Sequence, residues 1–159
     1  TKVIFGSFDR KLYALDASDN GKLLWSFKAD NWFWASPISD GVMVYAADMD
    51  GKVYALSLDR PDDDAPEWIQ DLQDGISSTP VRIGDKLAVA TENGTVSILD
   101  TVYGTVEEIP LELGNEVRAP LSSEGPDGPP RFYVGGGDGI VTSIDVKRWR
   151  RSWIVQTQE

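Results

Sequence analysis

The chain of 159 residues contains neither cysteine nor histidine. Without cysteine it has no disulfide framework and no thiolate nucleophile, and its redox compartment stays undecided. Without histidine it lacks the commonest general base and the commonest transition-metal ligand. No apolar run approaches the ~18 residues that a membrane-spanning helix requires. Basic residues are scarce: 15 Lys and Arg stand against 26 Asp and Glu, for a net charge of −11. That balance argues against a general nucleic-acid binder, because phosphate contact draws on a basic surface. There is also no Gly-rich phosphate loop and no carboxylate pair on a recognisable scaffold, which leaves catalysis without candidate residues. No signal peptide heads the chain, which opens abruptly inside a strand pattern, as a trimmed chain would. Convincing helical periodicity is missing too. The nearest stretch, Glu67 to Leu72, falls in phase with strands elsewhere.

What is present is repetition. Leu12-Tyr13-Ala14-Leu15-Asp16 is followed by an Asp, Asn and Gly turn ending at Gly21, and then by a short apolar run with Trp25. Its first part returns as Val53 to Ser57, Val96 to Asp100 and Val141 to Asp145. A β-rich run precedes each copy: Lys2 to Gly6, Val42 to Ala46, Lys86 to Ala90 and Arg131 to Gly135. Between run and copy lie Asp9-Arg10, Asp50-Gly51, Asn93-Gly94 and Asp138-Gly139, which predict two-residue hairpin turns with positive φ. Ser36-Pro37, Thr79-Pro80 and Ala119-Pro120 recur between copies, where a proline suits the start of a strand. Leu15, Leu56, Leu99 and Ile144 lie 41, 43 and 45 residues apart, and units of that length with four strands each are what a β-propeller blade requires. The expectation is an all-β chain of four blades, over residues 2–28, 35–72, 79–113 and 118–157. The first blade lacks its inner strand, so the chain is expected to be part of a larger ring, or to complete one with a second copy.

Ala14-x-Asp16, with Gly21-Lys22 and Trp25, resembles the A-x-D-x-x-x-G-K-x-x-W docking motif of the quinoprotein (PQQ-like) propeller repeats, with one extra residue in the turn. The resemblance covers essentially the whole chain and is closer to the non-enzymatic, BamB-like members than to the dehydrogenases. It implies that Trp25, Trp68 and Trp153 pack between adjacent blades, alongside the structural Ala14, Asp16 and Gly21. It also implies a common ring of eight blades, of which four would be half. The third copy departs from the pattern, with Glu108-Ile109 where the Trp belongs, so the joint after it is expected to be weaker. The fourth lacks the turn glycine and carries Lys147-Arg148-Trp149-Arg150-Arg151 instead.

Two faces of such a propeller could carry function. One gathers the second-to-third-strand turns and the blade connections, with Asp9, Asp48, Asp50, Glu92, Asn93 and Asp138 around Asn31-Trp32-Phe33-Trp34. The acids read as turn formers. Trp32, Phe33 and Trp34 are candidate partner-binding residues, because three adjacent aromatics cannot all point inward. The opposite face holds Asp62-Asp63-Asp64 and the basic cluster, with Arg148, Trp149 and Arg150 as further candidates. The acidic run has no alternating ligands around a glycine turn, so no calcium loop is expected. No cofactor or metal ligand is assigned. The expected function is a non-catalytic scaffold or protein-binding module, with a role in bacterial envelope protein assembly. Extracytoplasmic placement, periplasmic or extracellular, is implied by the resemblance. The alternatives are a ligand-sensing or oligomerising domain of a larger receptor or kinase and, less favoured, a piece of a quinone-dependent dehydrogenase.

Overall fold

The computed structural model describes residues 1–60, 65–125 and 128–157. Strands β1 (Lys2–Gly6), β2 (Lys11–Asp16) and β3 (Lys22–Lys28) form a three-stranded sheet, blade one. Blade two has four strands, β4 (Ile38–Ser39), β5 (Met43–Ala47), β6 (Lys52–Ser57) and β7 (Trp68–Asp71). Blade three comprises β8 (Val81–Ile83), β9 (Lys86–Ala90), β10 (Thr95–Asp100) and β11 (Leu111–Glu112). Blade four comprises β12 (Ser122–Ser123), β13 (Arg131–Gly135), β14 (Ile140–Asp145) and β15 (Arg150–Gln156). Within each blade consecutive strands pair antiparallel, and no helix occurs among the described residues. The all-β propeller architecture and the missing inner strand of blade one are as the repeat phase predicts.

The hairpin turns are one residue longer than expected. Ser7, Asp48, Thr91 and Gly136 each accept an N–H bond three residues on and donate to the carbonyl four residues on, leaving three-residue loops. Only the closing residue has positive φ: Arg10 at 70°, Gly51 at 89°, Gly94 at 91° and Gly139 at 76°. The Asp or Asn before it instead serves through its side chain. Asp9, Asn93 and Asp138 each accept the N–H two residues on, at 3.1, 3.0 and 3.0 Å. In blade two Asp48, fully buried, takes the Asp50 and Lys52 N–H groups at 3.0 Å and the Tyr54 hydroxyl at 2.7 Å. Asp9, Asp48, Asn93 and Asp138 are therefore turn formers, as expected, while Asp50 and Glu92 accept no such turn N–H among the described residues.

The core lies between blades. Strands of the two middle blades are buried on both faces, as in β6 and β10, while β1 and β13 alternate. Leu12, Ala14 and Trp25 pack on Val44, Ala46 and Leu56; Tyr45, Val53 and Trp68 pack on Leu87, Val89 and Leu99. At the first two joints an indole crosses the gap: Trp25 Nε1 donates to the Leu58 carbonyl and Trp68 Nε1 to the Thr101 carbonyl, each at 3.1 Å. Each Trp pairs across its own sheet with a small residue, Ala14 or Ala55, which leaves room for the ring. On the receiving side Gly104 lies under Trp68, and a Cβ there would sit 2.5 Å from the indole. Burying a ring of this size removes roughly 150–250 Å² from water, worth about 4–6 kcal/mol.

The third joint is filled from the other side, contrary to the expectation of a weak contact. Glu107 donates its N–H to Ile98 as Glu67 does to Ala55, so Glu108 occupies the register of Trp68. Ile98 replaces the small alanine beneath it. Trp149 stands four residues after Asp145, as Gly104 stands four after Asp100, and keeps the left-handed backbone at φ 45°. Its ring lies against Phe132, at 6.5 Å between centroids, and its Nε1 donates back to the Ile109 carbonyl at 2.6 Å. The outer strands also do not end at their Trp: Trp25 and Trp153 sit mid-strand, each just after a register shift.

Trp153 has no following blade among the described residues and is 42% exposed. It pairs with Ser143 and lies 5.6 Å from the Tyr133 ring, much as Trp68 lies 6.0 Å from Tyr45. At the other end Val3 and Phe5 of blade one hold the positions of the buried Leu87 and Val89, and both are exposed.

Candidate protein-binding face

Three connectors cross the face that carries the β1–β2, β5–β6, β9–β10 and β13–β14 turns. Each is fixed by backbone bonds to both neighbouring turns. Phe33, Ile76 and Val117 donate their N–H groups to the carbonyls of Ser7, Asp48 and Glu92, at 3.3, 3.2 and 3.2 Å. The residue before each, Trp32, Gly75 or Glu116, accepts from Met49, Glu92 or Gly137 of the next blade, at 3.0, 2.7 and 2.8 Å. Phe33, Ile76 and Val117 are thus pegs buried in the joints. Phe33, expected among the partner-binding residues, is only 3% exposed and packs against Tyr54, so it belongs to the core. Alternation along the connector then sends its neighbours outward, and Trp32 and Trp34 are 50% and 61% exposed.

Two sets of repeat-equivalent positions lie on this face, and both differ from blade to blade. After the pegs come Trp34, Ser77 and Arg118; in the turns come Phe8, Met49, Glu92 and Gly137. Phe8, 62% exposed, joins the two indoles, with centroids 5.9 Å from Trp32 and 5.3 Å from Trp34. Beside this cluster a cavity of about 250 Å³ is lined by Trp32, Trp34, Met49, Ser77, Glu92 and Arg118. Ser77 is buried, and its Oγ has no hydrogen-bond partner among the described residues. Arg118 Nε lies 3.9 Å from a Glu92 oxygen and 3.3 Å from Glu116.

Charge around the cluster is mostly negative and held in place. The Tyr13 hydroxyl bonded to Asp9 keeps that carboxyl below the usual range, and the Lys52 ammonium does the same for Asp30. Asn31 donates to Asp50 at 2.6 Å and caps the Trp32 N–H at 2.8 Å, fixing the start of the connector. Phe8, Met49, Ser77 and Arg118 escape notice in a linear scan, because none forms a motif. Aligning the repeats on their turns is the signal that exposes them.

The other candidates lie elsewhere. Arg148 and Arg150 are exposed on the opposite side, with Arg148 3.6 Å from Asp145. Trp149 is spent in the third joint and is not a free docking residue. Asp62, Asp63 and Asp64 lie outside the described residues. On that side a cleft of about 680 Å³ between blades three and four is lined in part by Lys86, Ile98, Glu107, Glu108 and Lys147. Among the described residues no cluster of His, Cys, Asp or Glu suited to a metal ion occurs, and no helix is long and apolar enough to cross a membrane.

No curated protein sequence is significantly similar to the chain. Residues 1–60 match the sequence model of the family described as outer membrane protein assembly factor BamB. Among solved structures the chain is similar to BamB from Moraxella catarrhalis, with a TM-score of 0.78 and 21% identity over 96% of this chain. It spans only 44% of that protein. The first 60 residues are thus similar to the BamB family, and over nearly its whole length the chain shares the fold of a segment of that BamB structure.

Proposed function

We propose that the chain is a non-catalytic propeller module that presents its connector face to a protein partner in outer-membrane protein assembly, outside the cytoplasm. The observation that carries this is the exposed cluster of Phe8, Trp32 and Trp34. Its members occupy positions that vary between blades in size and polarity, whereas the pegs beside them, Phe33, Ile76 and Val117, all stay apolar and buried. Exposed aromatics grouped on a rigid scaffold are the usual anchors of a protein interface. The BamB relation supplies the cellular setting. The test is a photo-crosslinking residue at position 34 in bacterial cells, compared with one at Tyr103 at the blade periphery. Adducts with an outer-membrane assembly protein from position 34 alone are expected. Equal adducts from both positions, or none from 34, would overturn the proposal.

The two end blades favour a second, compatible reading: that blade four docks on blade one of a second copy to extend the ring. Tyr133 and Trp153 reproduce the arrangement of Tyr45 and Trp68, and Val3 and Phe5 reproduce Leu87 and Val89, so each end offers half of a joint. Light scattering on the purified chain should give a dimer that Trp153→Ala dissociates. A well-folded monomer at high concentration would sink the idea.

A further inference from the structure

We propose that the cavity on the connector face receives an arginine side chain of the protein partner. The inference rests on the protein-binding reading above and specifies its chemistry. Three observations converge. The walls are two exposed indoles, Trp32 and Trp34, with Phe8 against both, and an aromatic face attracts a guanidinium through its quadrupole. The same lining includes Glu92, which brings a carboxylate, and Ser77, 7% exposed, whose Oγ has no partner among the described residues. The turns and connectors of this face carry Asp9, Asp50, Asp74, Glu92, Glu116 and Asp138 against Arg10 and Arg118, with Lys52 already tied to Asp30.

These features discriminate between guests. An aliphatic side chain would cover the indoles but desolvate part of Glu92 and leave the already buried Ser77 Oγ unbonded, which is costly. A carboxylate would satisfy Ser77 and Arg118 while facing the surrounding acids. Arginine matches all parts: its plane stacks on an indole, one N–H reaches a carboxylate and another a hydroxyl oxygen. Lysine offers a point charge with no planar face. Arg118 has a defined place in this scheme. With Nε 3.9 Å from Glu92, it is the chain's own cation at the site and competes with the incoming one.

The test follows tryptophan indole N–H signals by NMR while adding the pentapeptide acetyl-Gly-Gly-Arg-Gly-Gly-amide. Counterparts with citrulline or leucine in the central place serve as controls. Saturable shifts of the Trp32 and Trp34 signals are expected with the arginine peptide only, while the buried Trp25 and Trp68 signals stay put and report an intact fold. Glu92→Gln should weaken binding about fivefold, and Ser77→Ala about twofold, as a lost charged and a lost neutral hydrogen bond would. Arg118→Ala should tighten it about twofold by removing the competing cation, an effect that a merely structural role would not produce. Equal shifts with citrulline or leucine, or indifference to Glu92→Gln, would overturn the proposal. Crosslinking from position 34 without any response to the arginine peptide would sink this inference and leave the protein-binding face standing. Failure of both would sink both.

Discussion

The third joint offers the sharpest test of how these blades hold together. Three positions change together there: Ala becomes Ile98, Trp becomes Glu108 and Gly becomes Trp149, relative to Ala55, Trp68 and Gly104 at the joint before it. If the indole of Trp149 replaces the missing one, Trp149→Gly should open the joint. Truncating a fully buried Trp costs about 3–5 kcal/mol, and Trp149 is half-buried, so roughly half of that is lost. Glycine at φ 45° relieves about 1 kcal/mol of backbone strain, which leaves a net loss of about 0.5–1.5 kcal/mol. The decisive variant is the triple Ile98→Ala, Glu108→Trp, Trp149→Gly, which rebuilds the second joint in the third. It should recover to within about 0.5 kcal/mol of the parent, because the changes act as one unit. Ile98→Ala with Glu108→Trp alone should be worse than the parent, since two indoles then contend for one space. Urea unfolding followed by circular dichroism measures each. A triple variant no more stable than Trp149→Gly alone would refute the compensation.

Other consequences follow from the same geometry. Trp25→Ala, at a fully buried ring with its N–H bonded across the joint, should cost about 3–5 kcal/mol in the same urea assay, whereas Trp153→Ala, at a ring that is 42% exposed and touches only its own blade, should cost the single chain less than half as much. Gly94→Ala should destabilise by about 1–3 kcal/mol, because φ is 91° and the new Cβ would lie 2.1 Å from the Asn115 carbonyl oxygen. Burial, reinforced by the bond to Asp48, pushes the Tyr54 phenol well above its ordinary range. The folded chain therefore keeps that proton while the unfolded chain loses it, so stability should fall as pH rises beyond about 10, by up to ~1.4 kcal/mol per pH unit for this group. Tyr54→Phe should flatten that alkaline slope, and an unchanged slope would show that other groups govern it.

The repeat phase made the blades legible before any coordinates, because four features kept one register and a period-2 pattern left little choice of face. Turn length was not legible: Asp-Gly suits both a two-residue turn and a three-residue one that closes on a left-handed glycine, and only the backbone bonds tell them apart. Nor could spacing show that Phe33 points down while Trp32 and Trp34 point up, since that depends on which connector residue bonds to the Ser7 carbonyl. Trp149 was the deepest miss. In a line of text it sits among Lys and Arg and reads as part of a solvated loop, and its role appears only when it is placed opposite Ile109.

These cases suggest how departures from a repeat should be interpreted. Where two adjacent blades depart together at positions 98, 108 and 149, on the two sides of one joint, the changes offset one another and belong to packing. Where blades depart at Phe8, Met49 and Glu92, or at Trp34, Ser77 and Arg118, no partner substitution in a joint answers them, and the pegs between them stay apolar. Packing therefore does not account for those differences. The exposed aromatics and the unbonded Ser77 hydroxyl lie on that same face, and this agreement between repeat variation and unsatisfied chemistry is what makes it the place to look for the partner.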